Sequence, residues 1–131
     1  MSDNLIADIV RDFITSNIDS ITELEALLLI RREPQLKWTA ADLAERLYTS
    51  PEQVEEAIEN LTLRGLSCIK RGKPVTYYYQ PSTPELDRLV GEVADTYSKY
   101  LIEVTNLIHS KPQMKVQQFA DAFRLRNRRD K

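Results

Sequence analysis

Residues 38–80 constrain the fold more than any other stretch, because helix caps, turn residues and strand formers follow one another there with little slack. Leu36-Lys37-Trp38 is short and alternating and suits an edge strand. Thr39 is a good N-cap, and Asp42 follows where an acid favours a helix N-terminus. Leu43, Ala44 and Leu47 then form an apolar face, so a helix is predicted over 39–48. Tyr48-Thr49-Ser50 breaks it. Ser50 caps a second helix over 51–64, Pro51 takes its first position and Gln53 completes a capping box. Val54, Ala57, Ile58 and Leu61 recur at helical spacing, and Gly65 is a natural stop. Two strand-forming runs follow within 66–80, joined by the turn Arg71-Gly72-Lys73-Pro74.

A helix, a tight turn, a second helix and a basic hairpin together outline a winged helix-turn-helix. The runs WTAADLAERLYTSPEQVEEAIENLTLRGL and IKRGKPVTYYYQP resemble the winged-helix domains of small bacterial transcriptional regulators of the MarR-like type, over residues 20–81. The resemblance implies a homodimer that binds duplex DNA, with residues 50–64 in the major groove and the hairpin against the backbone. It also implies small-molecule binding between the winged-helix lobe and the dimer helices, where Trp38, Tyr77, Tyr78, Tyr79 and Tyr97 are the aromatics available. Winged helices also serve as protein-binding modules, so the fold does not fix the function.

The flanks are helical. Leu5, Ile6, Ile9, Val10, Phe13 and Ile14 mark an amphipathic helix over 4–16. Ser20 and Glu23 form a capping box for a helix over 20–32, whose Leu27-Leu28-Leu29-Ile30 run is apolar nearly all round and belongs at the centre of the fold. With the wing, these complete a winged-helix domain over 1–81. Thr83 and Pro84 open a long helix over 82–110. Along it, Leu86, Val90, Val93, Tyr97, Tyr100, Val104 and Leu107 alternate spacings of four and three, a heptad seam. The seam is expected to be a dimerisation surface; packing back on the first two helices is the alternative. Val116, Phe119, Ala120 and Phe123 suggest a short amphipathic helix leading into a basic tail within 111–131. The expected fold class is mainly α with a small β-hairpin wing and a long C-terminal dimerisation helix.

Charge is unevenly spread. Residues 111–131 hold seven Lys/Arg against two Asp, whereas residues 1–110 hold eleven Lys/Arg against eighteen Asp/Glu. The single cysteine, Cys68, precludes an internal disulfide and suits a reducing cytoplasm; it reads as a half-buried wing residue. No leader or apolar run long enough for a membrane span is evident. Enzyme chemistry lacks its parts. His109 is alone at a helix end, no Cys/His cluster offers a metal site, and Gly65, Gly72 and Gly91 form no phosphate-cradling loop, so no cofactor is expected.

The candidate DNA contacts are Lys37, Gln53, Arg64, Lys70, Arg71 and Lys73. Against them stands the second helix of the pair. With Val54, Ile58 and Leu61 facing the core, its outer face is Glu52, Glu56, Glu59 and Leu63, with Glu55 on a flank. Carboxylates there repel a phosphate backbone. The competing reading is therefore a protein-interaction module. In it Glu52, Glu56, Glu59 and Leu63 meet a basic partner, and Phe119, Phe123, Arg124 and Arg126 grip the same or another protein.

Overall fold

The computed structural model describes residues 5–111; Phe119, Phe123, Arg124, Arg126 and the expected tail helix lie outside it. Helices α1 (Asp8–Asn17), α2 (Ile21–Arg32), α3 (Ala40–Leu47) and α4 (Pro51–Leu63) precede the strands β1 (Ser67–Lys70) and β2 (Thr76–Tyr79). Helix α5 (Pro84–Lys99) follows, and residues 101–111 form a further helical segment, α6.

The helix starts follow from capping chemistry. Ser20, Thr39, Ser50 and Thr83 each accept a backbone N–H three residues on, from Glu23, Asp42, Gln53 and Leu86. Each such cap contributes about 1 kcal/mol. The two predicted capping boxes close differently from the reciprocal pattern. Glu23 accepts from the N–H of Asp19 rather than of Ser20, and the Gln53 side chain turns to the Thr49 hydroxyl. Gly65 ends α4 with φ +77°, in the left-handed region, and its carbonyl accepts from the Ser82 hydroxyl at 2.9 Å.

The core is a single cluster. Leu24, Leu27 and Ile30 of α2 are fully buried against Leu43 of α3, Val54, Ile58 and Leu61 of α4, and Leu66. At roughly 1.5–3 kcal/mol for each aliphatic side chain withdrawn from water, this packing dominates the stability of the lobe. β1 and β2 pair antiparallel with Ile69 opposite Tyr77, and Trp38 bridges Tyr77 on the other side of β2. The expected edge strand is thus one bridge, held by a reciprocal pair of hydrogen bonds between Trp38 and Tyr77 at 2.8 and 2.7 Å.

The long helix is interrupted. Tyr100 adopts φ −129° and ψ 52°; its N–H closes α5 on the Thr96 carbonyl, and its own carbonyl accepts the Val104 N–H that opens α6. The break shifts the buried stripe. Val90 and Val93 are buried in α5, but in α6 the buried positions are Val104, Ile108 and Lys111. The two apolar ones join Ile6, Val10, Phe13, Ile14 and Ile18 in the same core. Of the expected dimerisation seam, Val90, Val93 and Val104 are therefore spent inside the chain, and Leu86, Tyr97 and Leu107 pack half-buried against the same core. A seam made by those side chains would have to open the core to meet a partner. Among the described residues, no helix is long and apolar enough to cross a membrane.

Candidate nucleic-acid interface

The wing gathers four of the six expected contacts. Arg71 and Lys73 are exposed at the hairpin tip, beside Gly72 and a cis Lys73–Pro74 bond. Lys70 ends β1, and Lys37 lies one residue before the Trp38 bridge. The two ammonium groups are neighbours. A contact with Lys70, and then its charge, lowers the pKa of Lys37 below the ordinary lysine value.

Arg64 stands apart from this group. It follows α4 as its C-cap, and its guanidinium donates to Glu23 at 2.9 Å and Asp19 at 2.7 Å. Glu23 is almost fully buried and also accepts from Asn60 at 2.9 Å. Asp19 in turn accepts from Lys111 at 3.0 Å, and the Lys111 ammonium donates to the carbonyls of Ile14 and Ile18. A cation buried over the carbonyl end of α1 is well placed for the helix dipole. The Asp19 carboxyl is held far below the usual carboxylate range by the Arg64 hydrogen bond, then by that of Lys111, against the opposing effect of burial. The network ties the end of α4 to the α1–α2 junction and to α6, which is a structural task rather than a DNA contact.

Gln53 is exposed in the first turn of α4. The Thr49 hydroxyl donates to its carbonyl oxygen, so the Gln53 NH2 remains as an outward donor. The acidic face lies where its spacing placed it. Glu52, Glu55, Glu56 and Glu59 are all exposed, and Leu63 is 85% exposed. Part of that face lies beside the wing. Burial raises the Tyr77 phenol above its ordinary pKa; Glu55 and Glu59 push it further the same way and Arg71 opposes them. Positive wing and negative helix are adjacent surfaces around Tyr77, so the glutamates oppose a polyanion that the wing cations attract.

Three features went unnoticed in the sequence. The Arg46 guanidinium lies 5.5 Å from the centre of the Trp38 ring, a cation–π contact that fixes α3 to the strand bridge. The Trp38 ring is buried, and its Nε1 has no acceptor among the described residues. A cleft of about 390 Å³ opens between α2, the end of α3 and α5, lined by Arg31, Arg46, Leu28, Leu47, Tyr97 and neighbours. Of the aromatics expected to line a pocket, only Tyr97 faces this one; its phenol donates to Glu25 at 2.9 Å, and burial followed by that carboxylate pushes its pKa up to about 12. Tyr79 instead donates to Asp87, which also pairs with Arg31 at 3.3 Å. No group of three or more His, Cys, Asp or Glu able to hold a metal ion occurs among the described residues.

No family model and no curated protein matches the sequence. Solved structures do match in fold. Adhesin competence repressor (AdcR) from Streptococcus pyogenes aligns over 85% of this chain and 84% of its own, at 21% identity and a TM-score of 0.50. A MarR family protein from Bacillus stearothermophilus aligns over 93% of this chain and 83% of its own, at 17% identity and a TM-score of 0.50. The transcriptional regulator Tm0710 from Thermotoga maritima aligns over 93% and 85%, at 11% identity and a TM-score of 0.51. With helix-turn-helix, hairpin wing and flanking helices in the expected order, the chain folds as a MarR-like winged helix-turn-helix.

Proposed function

We propose that this protein is a transcriptional regulator that binds duplex DNA as a homodimer. The observation that carries the reading is the cationic wing: Lys37, Lys70, Arg71 and Lys73 are exposed together beside an open helix-turn-helix. Similarity in fold to proteins described as a repressor and a transcriptional regulator supports it. Wing cations neutralise phosphates, while α4 enters the major groove at a cost set by its glutamates. Few cations per subunit imply weak binding by one subunit, and two linked wings gain from effective concentration. The dimer contact is assigned to exposed apolar side chains on and beside α1 and α6: Leu5 and Ile9 at the α1 end, Leu101 and Ile102 at the start of α6.

Charge reversal on α4 tests the DNA reading. Glu52→Lys with Glu56→Lys should strengthen binding to random-sequence duplex at low salt, because both positions are exposed and two repulsions become attractions. No gain would place α4 away from the duplex. The acidic face would then be left for a basic protein partner.

A further inference from the structure

Tyr48 is the one non-glycine residue with positive φ among the described residues, at φ 57° and ψ 45°. It closes α3, its N–H bonding the Ala44 carbonyl, in a position that favours Gly or Asn. A bulky aromatic there is conformationally disfavoured. Its side chain repays nothing through packing, since the residue is 96% exposed. A large, mostly apolar ring held in water on a strained backbone is unfavourable to the fold on two counts. Its place in the fold is equally particular. It sits in the turn of the helix-turn-helix, two residues before the N-cap Ser50 of α4.

We propose that Tyr48 is a DNA-backbone contact, its phenol hydroxyl donating to a phosphate at the wall of the groove that α4 enters. The inference rests on the DNA reading above and deepens it. A residue just outside a groove-seated helix faces the sugar-phosphate strand rather than base edges. A neutral donor suits this place better than a charged one. Glu52, Glu55 and Glu56 follow in the sequence of α4, and their charge would compete with a phosphate for a Lys or Arg placed at 48. A phenol reaches the phosphate without being neutralised by them.

The test is fluorescence anisotropy of the full chain with labelled random-sequence duplex, titrated in salt, for wild type, Tyr48→Gly and Tyr48→Phe, beside thermal melts of each. Both variants should lose about ten- to a hundredfold in affinity, the worth of one hydrogen bond to a charged group. The slope of log affinity against log salt should not change, because a phenol displaces no counterion. Tyr48→Gly should match or exceed the wild-type Tm, since glycine relieves the left-handed backbone. Wild-type-like binding by either variant would overturn the proposal while leaving the DNA reading intact. An affinity loss matched by a lower Tm would make the residue structural and also overturn it. Failure of the wild type itself to bind at low salt would remove the DNA reading, and this inference with it.

Discussion

Arg64 ties two carboxylates together, donating to both Glu23 and Asp19. Three-quarters of it is withdrawn from solvent, and it faces Glu23, which is only 4% exposed. Removing it leaves a buried carboxylate with the Asp19 N–H and the Asn60 amide as its remaining donors. Arg64→Ala should therefore cost about 3 kcal/mol in urea unfolding, the range for breaking a buried pair. Adding Glu23→Gln should recover part of that loss, since the stranded charge disappears. Asp19 gives the network a pH signature. Its folded pKa lies below the ordinary 3.8, so its contribution is present above that value and drains away as pH falls through it toward the folded value. Urea midpoints between about pH 5 and pH 2 should fall more steeply for wild type than for Asp19→Asn. Equal slopes would mean that Asp19 is not held by its two cations. None of this was legible in the chain. Arg64 follows a helix in a basic-hairpin context and reads as a phosphate contact; its partners lie 41 and 45 residues away. Lys111 precedes a proline and reads as a helix end, yet its ammonium is buried over α1.

The elements themselves were readable where local chemistry decides them. The starts of α2, α3, α4 and α5 follow Ser20, Thr39, Ser50 and Thr83, because a hydroxyl cap acts within three residues. Gly65 was equally readable. Its left-handed φ suits glycine, and a Cβ there would stand 2.2 Å from the Ser82 hydroxyl oxygen. Gly65→Ala should cost about 1–2 kcal/mol for the backbone alone, with more for displacing Ser82. A chemical melt at the wild-type midpoint would remove that explanation of the α4 stop. The break at Tyr100 was not readable. No glycine or proline marks it, and the spacing from Leu86 to Leu107 continues through it as though the helix were whole. What decides it is tertiary: with the break, Val104, Ile108 and Lys111 all turn toward α1 and the core. At the same scale, the Lys70/Arg71/Lys73→Ala wing should lower the salt slope of DNA binding by about one for each phosphate it no longer neutralises.

For the whole molecule, two surfaces remain to be matched with partners. One is formed by α1 and the start of α6, where Ile9, Leu101 and Ile102 are 58%, 54% and 67% exposed. Such residues leave the monomer core untouched when changed, so Leu101→Glu with Ile102→Glu should yield a monomer with a near-native melt. Sedimentation velocity checks this, and an unchanged dimer would move the interface elsewhere. The other is the wing beside the acidic helix. The heptad seam illustrates why the molecule could not be assembled from its pattern alone. A repeat of apolar residues states that a face is covered, not by what, and here the chain's own α1 competes for the cover and takes it. The net charge of −2 hides the same kind of detail, since basic and acidic surfaces lie side by side.

The most direct measurement is binding of the purified full chain to labelled random-sequence duplex by fluorescence anisotropy, from low to moderate salt, beside the Lys70/Arg71/Lys73→Ala variant. Non-specific affinities for duplex DNA fall at roughly 1–100 μM near physiological salt and tighten steeply as salt is lowered. Wild type should bind in that fashion, and the variant should bind more weakly with a shallower salt slope. No binding by the wild type at low salt, or equal binding by the variant, would contradict a DNA-reading wing.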